Sequence, residues 1–119
     1  MKKKVLVVDD EKEITDFLER FLMRFDISVI KANEGKQAFD FYHLHNPDFI
    51  FLDIQMPGKD GITVLKELRE IDDSLKVIMI TGRDDKEFRE KAQQLGAIDY
   101  ITKPLDLSEL SKKVEEYIL

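Results

Sequence analysis

The spacing of hydrophobic and polar positions alternates between two periods along the chain. Val5-Leu6-Val7-Val8 is a continuous apolar run, the pattern of a strand buried on both faces. Ile14, Phe17, Leu18, Phe21, Leu22 and Phe25 then recur at helical spacing and predict an amphipathic helix over residues 11–25. A second strand is expected over 27–30, where the polar Ser28 suggests a sheet edge. Asn33-Glu34-Gly35 opens a second helix through Ala38, Phe39, Tyr42 and Leu44, and Asn46-Pro47 ends it. Phe49-Ile50-Phe51-Leu52 is the third strand and closes on Asp53. Pro57, Gly58 and Gly61 mark a loop, after which Ile62, Leu65, Leu68 and Ile71 trace a third helix. Val77-Ile78-Met79-Ile80 is a fourth strand, ending on Thr81-Gly82. The helix expected over 84–95 has only Phe88 and Leu95 as large apolar residues, so it should pack weakly; Gly96 suits its C-terminal cap. Asp99-Tyr100-Ile101-Thr102 is a short fifth strand, and a last helix starts near Asp106 or Ser108 and carries Leu110, Val114, Tyr117 and Ile118.

Five strands alternating with five helices over short connections predict an α/β fold: a doubly wound, five-stranded parallel sheet with helices on both faces. A chain of 119 residues suits one domain over 1–119. Composition adds exclusions. There is no cysteine, so disulfides and thiolate metal sites are ruled out and a reducing compartment is permitted but not required; a cytoplasmic location is a separate expectation. No apolar run reaches the length of a membrane span. The formal net charge of -6 argues against direct nucleic-acid binding, which needs clustered positive charge.

In such sheets functional residues gather at the carboxyl ends of the strands. Those ends read Asp9 and Asp10, Asp53, Thr81 and Lys103. Taken singly, each has a plainer reading: acids favour helix N-termini, and Lys103-Pro104 alone is a turn. Together they place three carboxylates, a hydroxyl and an ammonium on one edge. Crowded carboxylates repel and raise one another's pKa, a penalty that a divalent cation removes. Oxygen donors without thiolates or paired histidines suit Mg²⁺, which often shares its site with phosphate. Lys103 can offset further negative charge, and Thr81 can donate to a nearby oxygen. Asp53, the most central acid, is the natural nucleophile for a phosphoryl group. His43 and His45 lie two apart on one helix, do not face each other, and are read as surface residues; Met23, Met56 and Met79 are read as packing.

The chain resembles the receiver (CheY-like) domain of two-component response regulators over nearly its whole length. The resemblance rests on Val5-Leu6-Val7-Val8-Asp9-Asp10, on Asp53-Ile54-Gln55-Met56-Pro57-Gly58 with Asp60-Gly61, on Ile80-Thr81-Gly82, and on Tyr100-Ile101-Thr102-Lys103-Pro104, in order and at this spacing. It implies the flavodoxin-like (CheY-like) strand order 2-1-3-4-5. It further implies that Asp53 accepts a phosphoryl group from the phosphohistidine of a histidine kinase or phosphotransfer protein. Mg²⁺ would be held by Asp10, Asp53 and the backbone carbonyl of Gln55, with Asp9 acting through water. Lys103 would contact the phosphoryl oxygens, Thr81 would move to bond one of them, Tyr100 would turn inward, and Lys103–Pro104 would be a cis peptide. The signal would leave through the face of the fourth helix, fifth strand and fifth helix, toward a downstream protein or an output domain outside this chain. Dimerisation on phosphorylation is left open. The side chains of Gln55 and Arg83, two residues after Asp53 and Thr81, are expected to modulate hydrolysis of the acyl phosphate.

Three other readings are weaker. An aspartate-nucleophile phosphatase would want a second acid where Gln55 stands. A flavodoxin-like cofactor binder would want a phosphate-cradling loop where Asp9-Asp10-Glu11 stands. A receiver-like docking module would not need the full set of reactive residues. The chain is therefore expected to be a switch rather than an enzyme acting on other molecules. Glu11 is read as helix start and supporting charge only.

Overall fold

The computed structural model describes residues 2–82 and 86–119. Among them the order is β1 (Lys4–Val8), α1 (Lys12–Met23), β2 (Ser28–Ala32), α2 (Gly35–His45), β3 (Phe49–Asp53), α3 (Gly61–Ile71), β4 (Lys76–Thr81), α4 (Lys86–Gln94), β5 (Asp99–Thr102) and α5 (Leu107–Tyr117). The strands form one parallel sheet in the order β2-β1-β3-β4-β5. The period of two in each strand divides its side chains between two cores. Val5, Val7, Phe49, Phe51, Ile78 and Ile80 pack under Leu18 and Leu22 of α1 and Leu110 and Val114 of α5. Leu6, Val8, Ile50, Leu52, Val77 and Met79 pack against α2, α3 and α4 on the other face. Burial on both sides is why β1, β3 and β4 read as unbroken apolar runs.

Boundaries shift where backbone geometry overrides pattern. The first helix stops at Met23, not Phe25, because Arg24, Phe25 and Asp26 donate to carbonyls three residues back, and Asp26 takes a left-handed φ of 58°. The second strand starts and ends later than expected. Ile27 is buried, but pairing with β1 begins at Ser28 and runs to Ala32. Its half-exposed pattern is that of the sheet edge. Leu44 and Met23 are exposed, not packed, because they fall off the buried stripes of α2 and α1. His43 and His45 lie edge-on to Phe39 and Phe41.

The two C-terminal helices are held differently. Asp99 on β5 ties down α5, receiving Lys113 Nζ and the Tyr117 hydroxyl (2.9 Å), and Asp106 caps the helix at Glu109 N–H. In α4, Ala92 is the buried residue, while Phe88 is only partly covered. Its C-terminal end is fixed by polar contacts: Arg69 of α3 donates to the carbonyls of Leu95 (2.9 Å) and Gly96 (2.6 Å), and also to Asp73 (3.0 Å). So α4 is anchored at the end remote from Thr81. Hydrogen bonds to charged groups contribute on the order of 1.5–3 kcal/mol each, net of the bonds to water they replace. Arg69→Ala is expected to lower stability by about 1–3 kcal/mol in urea denaturation and to speed amide exchange selectively around 93–97.

Candidate functional site

The register of the sheet builds the site. Val8 lies level with Leu52, so the next residues, Asp9 and Asp53, emerge side by side. Asp53 is level with Ile80 and Thr81 with Thr102, which brings Thr81 and Lys103 to the same edge. Backbone bonds extend the ladder past the strands: Asp9 N–H donates to Ala32 O, Ile54 N–H to Ile80 O, and Lys103 N–H to Thr81 O (2.7 Å).

Local turns aim the acids. Asp9 Oδ1 accepts the Glu11 N–H at 2.8 Å, and Asp53 Oδ1 accepts the Gln55 N–H at 3.2 Å. Such Asx turns fix a carboxylate against its own backbone. Asp9, Asp53 and Thr81 are buried, and Asp10 is exposed. One oxygen from each of Asp9, Asp10 and Asp53 lies within 4.8 Å of the others. Lys103 Nζ stands 2.9 Å from Asp9 Oδ2 and 3.5 Å from Asp53 Oδ2. The first distance is that of a close ion pair, in which Asp9 Oδ2 meets no well-aligned donor among the described residues.

Burial dominates the electrostatics. Asp53 is pushed up to about 7, first by burial and then by the charge of Asp9; Lys103 and the Gln55 N–H oppose this. Burial also raises Asp9, against the pull of Lys103 and the Glu11 N–H. For Lys103, burial acts to lower the pKa. Its contacts with Glu11 and Asp9 and the charge of Asp53 outweigh that, so the ammonium stays protonated. Among the described residues, one cation therefore faces three clustered acids. A buried carboxylate oxygen without a hydrogen-bond donor, beside two more carboxylates, fits a hard divalent cation such as Mg²⁺.

The loop after β3 is constrained by Gly61. A Cβ on this residue would lie 2.0 Å from the Asp53 carbonyl oxygen. Its N–H donates to Ile54 O at 2.8 Å, and Asp60 caps α3 by accepting the Thr63 N–H at 2.8 Å. The start of α3 is thus pressed against the residue carrying the central acid. Gly58, with φ of 78°, makes the turn between them.

The structure thus gathers Asp9, Asp10, Asp53, Thr81 and Lys103 at one edge. Lys103–Pro104 is a cis peptide. The Gln55 side chain is exposed and borders a groove with Ile54, Met56 and Phe88. Tyr100 is half-buried on β5, with the Arg89 guanidinium 4.5 Å from its ring centre. Arg83 lies outside the described residues. Two residues carry more than their sequence positions suggested. Gly61 is a site of backbone contact rather than a loop marker. Glu11 Oε1 accepts from Lys103 Nζ at 2.7 Å, a contact spanning 92 positions that only its adjacency to Asp9-Asp10 hinted at.

A parallel 2-1-3-4-5 sheet with acids gathered at its carboxyl edge is the architecture of the phosphorylation-dependent switches of two-component signalling. Residues 5–115 match the response regulator receiver domain, and the chain belongs to that family. It is 32% identical over 118 residues to sporulation initiation phosphotransferase F of Bacillus subtilis (strain 168), covering 99% of this chain and 95% of that protein. CheY in a CheX-CheY-BeF3-Mg²⁺ complex from Borrelia burgdorferi superposes with a TM-score of 0.92 at 32% identity, over 98% of this chain and 90% of that one. Chemotaxis protein CheY4 of Vibrio cholerae shares the fold, with a TM-score of 0.93 at 24% identity over 99% of this chain and 100% of that one.

The raised pKa of Asp53 has a direct linkage consequence. The folded chain holds this proton more tightly than the unfolded one, so the contribution of Asp53 to stability is greatest below the ordinary Asp range and is lost as pH rises toward about 7. In metal-free buffer the loss is expected to reach roughly 2–4 kcal/mol by pH 8, and most of it should vanish in Asp53→Asn, as read from urea denaturation across pH. Gly61→Ala should lower the melting temperature by several degrees, since the clash is with backbone and cannot be relieved by a side-chain rotation.

Proposed function

We propose that Asp53 is the phosphoryl acceptor of this receiver. A carboxylate oxygen of Asp53 attacks the phosphorus of a phosphohistidine on a histidine kinase or phosphotransfer protein. The P–N bond breaks, the imidazole nitrogen takes the electron pair, and Asp53 becomes an acyl phosphate. The observation that carries this reading is a buried Asp53, held at the sheet edge by the Gln55 N–H, with Asp9, Asp10 and Lys103 converging on it.

Asp10, Asp53 and the Gln55 carbonyl would hold Mg²⁺, and Asp9 Oδ2, which lacks a hydrogen-bond donor, is suited to a metal-bound water. Bound there, Mg²⁺ offsets the crowded negative charge and favours the ionised, nucleophilic Asp53. Lys103 offers a movable point charge to the phosphoryl oxygens. Thr81, buried one residue beyond the level of Asp53, is placed to hydrogen-bond one of them, and Tyr100 to follow its movement. The sparse apolar cover of α4 makes it the element such a movement biases, so the output face is formed by α4, β5 and α5. Gln55 and Arg83 tune hydrolysis of the acyl phosphate. Residence in the cytoplasm follows from a kinase partner of this kind.

Incubation with a small-molecule phosphodonor and Mg²⁺ should add the mass of one phosphoryl group. Chelation should abolish the gain, and so should Asp53→Asn. No gain in the wild-type chain would favour a docking module instead. Thr81→Ala should still be phosphorylated but lose the phosphorylation-dependent change in α4 amide exchange. Arg83→Ala is expected to change the dephosphorylation rate, and equal rates would remove that residue from the mechanism.

A further inference from the structure

Among the described residues, Lys103 Nζ has three carboxylate neighbours at unequal distances: Glu11 Oε1 at 2.7 Å, Asp9 Oδ2 at 2.9 Å and Asp53 Oδ2 at 3.5 Å. Of the three, Glu11 accepts the shortest and best-aligned hydrogen bond. The ammonium is therefore engaged most closely by a residue outside the acidic triad, and least closely by the proposed acceptor. Glu11 is also released from the task its position would predict. It is the N-cap residue of α1, yet its side chain makes no capping hydrogen bond. Its backbone is instead fixed by the bond from its N–H to Asp9, and its carboxylate turns to Lys103.

We propose that Glu11 is a positioning residue that tethers Lys103 away from Asp53 in the unphosphorylated chain and releases it when a phosphoryl group arrives. The inference rests on the reading of Asp53 as acceptor. Exposure decides which contact can break. Asp9 is fully buried, so separating it from Lys103 would strand a charge away from water. The Glu11 side chain is 58% exposed, so water replaces the lost partner at little cost. A phosphoryl group on Asp53 brings several charged oxygens to the side of Lys103 that now has only a 3.5 Å contact. A flexible ammonium stem can turn toward them without backbone movement. The tether thus keeps the pocket cation occupied until a stronger anion competes for it.

Two variants separate the tether from its charge. Glu11→Ala removes both, whereas Glu11→Asp keeps the charge but is one methylene too short to hold the contact. The first measurement is the ¹⁵Nζ resonance of Lys103, recorded without any phosphodonor. It should shift in both variants toward its position in the phosphorylated wild-type chain. The second is the rate of phosphorylation against acetyl phosphate concentration with saturating Mg²⁺. The half-saturating concentration should fall roughly threefold in both variants, the size appropriate to one half-exposed ion pair, with the maximal rate little changed. An unshifted Lys103 resonance in Glu11→Ala would overturn the proposal. So would a Glu11→Asp chain that matches wild type while Glu11→Ala does not, since bulk charge would then explain the effect. A wild-type chain that takes up no phosphoryl group overturns the acceptor reading and the release with it; the resonance measurement separates that failure from failure of the tether.

Discussion

The crowding of Asp9, Asp10 and Asp53 around one lysine is the interaction on which this molecule turns. Left to themselves, three acids within 4.8 Å would separate into water. They cannot separate, because two of them continue strands whose register is fixed by apolar side chains on both faces of the sheet. The core is thus the means by which an unfavourable charge arrangement is maintained. Asp53 held near neutrality in its pKa is the visible result.

That stored disadvantage explains the division of labour among the surrounding elements. The β3–α3 connection is rigid, since Gly61 packs directly on the Asp53 carbonyl and Asp60 caps the helix behind it. α5 is equally firm, tied to β5 through Asp99. α4 is the exception: it buries little apolar surface and is secured at its far end by Arg69. Under the proposed reading, a change of charge at Asp53 meets α4 as the most yielding of the described elements around it. Receiver domains act as switches, and under that reading this contrast in packing is the form the property takes here. The pairing of Glu11 with Lys103 adds a polar counterpart, a contact that water can replace beside one that it cannot.

Much of this was legible in the chain before any coordinates. Unbroken apolar runs such as Val5–Val8 and Phe49–Leu52 signal strands buried on both faces, and their alternation with amphipathic segments signals a parallel α/β sheet. The acids, Thr81 and Lys103 could be placed on one edge because residues that end parallel strands share that edge whatever the strand order. Boundaries were less legible. Phe25 continues the helical stripe, yet the left-handed backbone at Asp26 ends the helix first. Ile27 is apolar and buried, yet it precedes the ladder.

Residue type and spacing alone thus determined the fold class and the edge on which Asp9, Asp10, Asp53, Thr81 and Lys103 gather, because burial and periodicity are properties of short segments. Tertiary structure decided the rest. The clash that reserves position 61 for glycine, the Arg69 anchor of α4 and the hold of Glu11 on Lys103 all join residues that are neighbours only after folding. Contacts of a few ångströms between distant segments follow from strand order and register, and no local pattern encodes them.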